Sequence, residues 1–128
     1  MKRYDPDVPP VSKEWLALDD DEKAFLVEQY HREARVKLPK RARGLHAVIH
    51  VVVENQVALE DQTVVIETLA RLISEGLTRH EGIHAIGSVL VGYMHDLFNE
   101  KEPPSEQHAR YYAALQDLTV QKWRESFS

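Results

Sequence analysis

The run LHAVIHVVVENQVAL at residues 45–59 constrains the fold of this chain more than any other stretch. On a helix of about 3.6 residues per turn, Leu45, Val48, Ile49, Val51, Val52, Val53, Val57 and Leu59 cover nearly every side, so such a helix belongs in the middle of a domain. The β-branched content of the run would also suit a strand, but its length and the i, i+4 spacing of its polar groups select helix. His46, His50 and Glu54 stand at i, i+4 and i+8, each step turning only about 40° around the axis. One narrow ionisable stripe therefore crosses an otherwise apolar cylinder. Leaving such groups buried and unpaired is costly, so the stripe needs a partner.

A second stripe supplies one. His80 and His84 share a face of a later helix, Ser88, Val91 and His95 continue that sector, and Gly87 beside it would let a neighbouring helix come close. Imidazoles at i, i+4 project from the same face one turn apart, which is chelate spacing. The candidate metal ligands are thus His46, His50, Glu54, His80 and His84. Imidazoles with one carboxylate suit Zn²⁺, Fe²⁺ or Ni²⁺, and are too rich in nitrogen for Mg²⁺ or Ca²⁺. Gln56, Glu81 and Ser88 are the candidate outer acceptors for the free ring nitrogens. The alternative is a metal-free structural or protein-interaction module in which the same side chains form a buried hydrogen-bonded network.

Other motifs carry less. Residues 80–84 spell the H-E-x-x-H of zinc proteases, yet Thr78 and Glu81 also make a T-x-x-E capping box, and a helix start explains the carboxylate. Glu28 with His31, and Glu81 with His84, match the Glu-x-x-His of carboxylate-bridged di-iron proteins, but in the wrong order along the chain. His31, His95 and His108 are expected to be surface or internally satisfied histidines, with His31 beside a charged, solvated face. Ser88 has neither a glycine elbow nor an orienting acid. No catalytic residue is assigned, and whether the chain is an enzyme stays open.

Composition narrows the class. The absence of cysteine excludes disulfides, thiolate nucleophiles and zinc-thiolate sites, and permits a reducing compartment. With 43% hydrophobic and 29% charged residues over 128 positions, one globular domain is expected. No apolar run approaches the roughly 18 residues of a membrane span, and MKRYDPDVPP lacks a hydrophobic leader core, so a cytoplasmic chain is expected. A net charge of −5 disfavours nonspecific attachment to phosphate despite the basic cluster Lys37, Lys40, Arg41 and Arg43. Nucleic acid is not an expected partner, and no small-molecule substrate can be read.

The expected fold is a single all-α domain over 1–128, a bundle of four to five helices with the central one buried among the others. Residues 1–11, with Pro6, Pro9 and Pro10, read as an extended arm that is either mobile or laid over the body. A turn at 12–18 docks through Trp15. A helix over 20–36 follows, capped by Asp19 and Glu22, burying Phe25, Leu26, Tyr30 and Ala34, and stopped by Pro39. After the central helix, a third begins at Thr63 with Val65, Leu69, Leu72 and Ile73 inward and ends at Gly76, with Leu77 folding back. A fourth spans 79–98, with Ile83, Ile86, Leu90, Met94 and Leu97 inward, and a break falls at 99–104. The last, over 105–127, is capped by Ser105; its Tyr111, Tyr112, Trp123 and Phe127 predict packing on the body or on a second copy in a homodimer.

Three segments carry a resemblance: W-L-A-L-D at 15–19, L-H-x-x-x-H-x-x-x-E-x-Q at 45–56, and E-G-L-x-R-H-x-x-x-H-A-I-G at 75–87. The chain resembles a family of small bacterial helical proteins known as a domain of unknown function. The likeness covers most of residues 13–98. It implies a helical fold and carries no reaction with it.

Overall fold

Helix starts and stops are set by a few local devices. The computed structural model describes residues 1–35, 40–61, 63–99 and 104–127, with side chains described at 1–35, 43–61, 63–95 and 109–125. The helices are α1 (Ser12–Leu16), α2 (Asp20–Glu33), α3 (Lys40–Ala58), α4 (Thr63–Ser74), α5 (Arg79–Asn99), α6 (Pro104–Asp117) and α7 (Val120–Phe127), and no strand occurs among the described residues. Asp19 accepts the Glu22 amide at 2.8 Å while Glu22 accepts the Asp19 amide at 3.3 Å, a complete capping box at the start of α2. Between α4 and α5, Gly76 takes φ 114° and the Leu77 amide donates to the Leu72 carbonyl at 3.1 Å, closing α4 in a Schellman turn. Thr78 and Glu81 then cap α5 reciprocally, so the Glu of the H-E-x-x-H match is spent on the helix start.

α3 is the central element, packed against α1, α2, α4 and α5. It lies between two apolar clusters. One joins Val53 to Val65, Leu72, Ile83, Ile86 and Leu115; the other joins Ala47 and Val51 to Trp15, Leu26, Val27 and Tyr4. The arm is laid over the body rather than free: Tyr4 and Pro6 are buried, and the His80 amide donates to Asp7 at 3.0 Å. No helix among the described residues is long and apolar enough to cross a membrane.

Several expectations are corrected. Phe25 is 56% exposed and Ile73 41% exposed. α2 instead turns Lys23, Leu26, Val27 and His31 inward. Lys23 can be buried because its ammonium donates to Asn55 at 3.0 Å while its charge lies 5.7 Å from the Trp15 ring centre. The last helix is two. Arg71 donates to the Leu115 carbonyl at 3.0 Å and also to that of Leu118, satisfying the end of α6; Thr119 accepts the Lys122 amide at 3.0 Å and starts α7. Tyr111, buried and donating to Gln56 at 2.8 Å, packs α6 on the body as expected. The stop at Pro39, most of the break at 99–104, and the side chains of Lys37, Lys40, Arg41, Leu97, Ser105, His108 and Phe127 lie outside what is described.

Gly87 and Gly92 make opposite predictions on one helix. A Cβ at Gly87 would lie 2.6 Å from Cγ2 of Ile49, a branch close to the α3 backbone, whereas a Cβ at Gly92 meets nothing within 4 Å. Gly87→Ala is expected to destabilise by about 1–3 kcal/mol. Gly92→Ala is expected to stabilise by up to about 1 kcal/mol through helix propensity. Urea midpoints of the two variants check both signs.

Candidate metal centre

Three helices bring five imidazoles together: His31 from α2, His46 and His50 from α3, and His80 and His84 from α5. Nε2 of His50 lies 3.0 Å from Nε2 of His84, and Nε2 of His46 lies 3.0 Å from Nε2 of His31. Ring centres of His80 and His84 are 4.3 Å apart and those of His46 and His84 4.8 Å. One ligand nitrogen each from His31, His50, His80 and His84 lies within 4.8 Å of all the others. This buried cluster could hold a metal ion. Nitrogens on one tetrahedral ion sit about 3.3 Å apart, given bonds of about 2.0–2.1 Å, so the close pairs already have ligand spacing.

Proton positions can be assigned from the partners. Nδ1 of His31 lies 2.8 Å from the Val27 carbonyl, which can only accept, so Nδ1 carries a hydrogen and the neutral tautomer of the ring is the one with its lone pair on Nε2. Nδ1 of His50 lies 3.1 Å from the Tyr4 hydroxyl, and that hydroxyl donates its own hydrogen to Glu54 at 2.5 Å. Nδ1 of His50 is therefore the donor in its contact, and Nε2 of His50 also presents a lone pair to the cluster. Each of these two rings has the arrangement of a metal-binding histidine, one nitrogen held by an outer acceptor and the other bare. Nε2 of His80 is buried and finds no hydrogen-bond partner among the described residues.

The electrostatics favour the neutral form of four of the rings, His46, His50, His80 and His84. Burial, and then the facing imidazoles of His84 and His31, hold the His50 pKa far below its ordinary value. Burial and the neighbouring His80 push His84 down to about 3, and burial with His31 pushes His46 down to about 4. His80 is lowered mainly by burial, against an opposing pull from Asp7, Asp5 and Glu81. Neutral imidazole is the ligating form. The Tyr4 hydroxyl is pushed up by burial and then by the Glu54 carboxylate, so it stays a donor.

These depressed values set the pH dependence of the metal-free fold. The unfolded chain takes up protons on these histidines below about 6.5, where the native state does not, so their contribution is intact above that pH and lost as pH falls toward 3 to 4. Each proton excluded by the fold contributes a slope of at most about 1.4 kcal/mol per pH unit, with the partly exposed His46 giving less. Urea midpoints of chelator-treated protein should fall between pH 7 and pH 4.5.

Two assignments made from the sequence change. Glu54 is not free to ligate: Nη2 of Arg79 donates to Oε1 at 2.7 Å and Nη1 to Oε2 at 2.8 Å, with the Tyr4 hydroxyl also on Oε2. Its carboxylate is an outer support of His50 through Tyr4. His31 is not on a solvated face; it is 5% exposed and stands inside the cluster. One turn on from Val27, it follows an apolar row that could have placed it inward. The acceptors also differ. Gln56 takes the Tyr111 hydroxyl, Glu81 caps α5, and Ser88 donates to the Ala85 carbonyl at 2.6 Å, so the roles proposed for them fall to Val27 and Tyr4. Comparison with protein-family models, curated proteins and solved structures finds no match to this chain.

Proposed function

We propose that this is a metal-binding protein whose site is the histidine cluster, with His31, His50, His80 and His84 as ligands and His46 as a fifth donor beside them. The ion is of the borderline class that prefers imidazole, Zn²⁺, Fe²⁺ or Ni²⁺; hard Mg²⁺ and Ca²⁺ have no oxygen ligands here. The observation that carries the reading is the buried, unpartnered Nε2 of His80, a residue that groups with His31, His50 and His84 at one ligand nitrogen each within 4.8 Å. A metal ion would satisfy all of these nitrogens at once. Most of the cluster is built by two of the segments that resemble the small bacterial helical family, 45–56 and 75–87, a resemblance that implies the helical fold alone.

The metal-free network is the second reading, and the two 3.0 Å Nε2 contacts favour it, because each can be one N–H···N hydrogen bond. It leaves His80 without a partner. Elemental analysis of protein purified without an affinity tag, followed by titration of the chelator-treated protein, separates the readings. One equivalent of transition metal is expected, lost when His50→Gln and His84→Leu are combined. Metal content near zero, with only stability altered in that variant, would establish the network instead.

A further inference from the structure

A cleft of about 390 Å³ opens beside the cluster. His46, His50 and His84 line it together with the apolar Leu45, Ile49, Val91 and Trp123, and of these His50 is the most deeply buried. Ser88 also lines it, but its hydroxyl hydrogen is committed to the Ala85 carbonyl. No carboxylate, lysine or arginine lines the cleft among the described residues. Clefts of this size, apolar along their walls and polar at one end, suit small molecules with a polar head.

Charge decides what head would fit. A divalent ion held only by neutral imidazoles keeps its full charge in a partly dry site, where an uncompensated charge is costly. Glu54, the nearest buried carboxylate, is already neutralised by the bidentate Arg79. Asp5, Asp7 and Glu81 bear on His80, which does not line the cleft. The cleft is therefore the side from which a further anion can approach the ion, since no carboxylate lines it among the described residues. Resting on the metal reading, and on an ion that keeps the four ligands His31, His50, His80 and His84 and accepts a fifth, we infer that the cleft binds an apolar monocarboxylate, with its carboxylate in that fifth position in place of His46 and its hydrocarbon body between Leu45, Ile49, Val91 and Trp123.

The test uses the whole chain loaded with Co²⁺, titrated with acetate, butyrate, hexanoate and octanoate while the visible spectrum of the ion is followed. Affinity should rise by up to about fourfold per methylene while the cleft fills, from the burial of each CH₂ group. Val91→Phe, at a position 45% exposed and not itself a ligand, should leave Co²⁺ stoichiometry unchanged and weaken octanoate by more than tenfold while sparing acetate. Trp123 emission should shift with octanoate in the parent protein. Co²⁺ binding with affinities that do not depend on chain length overturns the cleft assignment and leaves the metal site standing. Failure to bind Co²⁺, Zn²⁺ or Ni²⁺ overturns the metal reading and this inference with it.

Discussion

Replacing His31 with Leu is expected to lower the affinity of the chelator-treated protein for Zn²⁺ or Ni²⁺ by more than about 100-fold, since altering even an outer-shell partner typically costs 10- to 100-fold. The position is informative because His31 alone brings α2 into the cluster. Its Nδ1 is held by the Val27 carbonyl at 2.8 Å, so its Nε2 is already aimed and little ordering remains for the metal to impose. Leucine is close enough in size to keep the α2 packing around Leu26 and Val27. Unchanged helicity by circular dichroism, together with lost affinity in a competition titration, would identify a ligand. In the network reading, His31→Leu removes only the acceptor facing His46, and whatever weak metal uptake exists would not change. The two readings also differ in heat: metal at about 100 times its Kd should raise stability by about 2.7 kcal/mol in the parent chain, and the variant should lose that increment.

The stripes were legible because helix geometry alone places i, i+4 side chains on one face. His46, His50, His80 and His84 needed only that, together with two helices greasy enough to be buried. The Gly76 turn and the Thr78–Glu81 box were likewise written in local spacing, and the structure keeps both. What failed was whatever depended on a partner distant in sequence. Glu54 shares the histidine stripe and so looked like a ligand; its true partner, Arg79, lies 25 residues away. A cation in the first turn of α5 opposes the helix dipole, which is a hint of an outside partner, though not of which one. Tyr4 sits in a proline-containing arm with few apolar neighbours, and no periodicity could announce that its hydroxyl bridges His50 and Glu54. His31 was hidden differently. The charged residues around it in α2 suggested a solvated face, and only the inward turn of Val27 argued otherwise. The division of the last helix at Thr119 depended on Arg71 and Glu75 of another element, where Glu75 accepts the Val120 amide at 3.1 Å.

Breaking the Glu54–Arg79 pair on one side only should be among the most destabilising changes in the region. Both side chains are buried, 1% and 6% exposed, and the guanidinium also donates to the Pro6 carbonyl at 2.9 Å. One residue thereby ties the arm, α3 and the start of α5 together. Burial opposes the charge on Arg79, but its hydrogen bonds and charge pairing with Glu54 more than offset that, so the cation is held. Arg79→Met removes the cation and leaves a buried carboxylate with Tyr4 as its remaining donor, a loss of about 3–5 kcal/mol. For a domain of this size that is a fall in Tm of more than about 10 °C. The double variant Arg79→Met, Glu54→Leu should recover much of the loss, because an apolar pair of similar volume removes the stranded charge. Tyr4 then loses its acceptor, its hydroxyl hydrogen is free to turn toward Nδ1 of His50, and the proton on that ring can move to Nε2, the nitrogen that faces the cluster. Metal affinity in the double variant should consequently stay depressed by about 10- to 100-fold while stability returns. Recovery of both together would show that the Tyr4–Glu54 link does not set the state of His50.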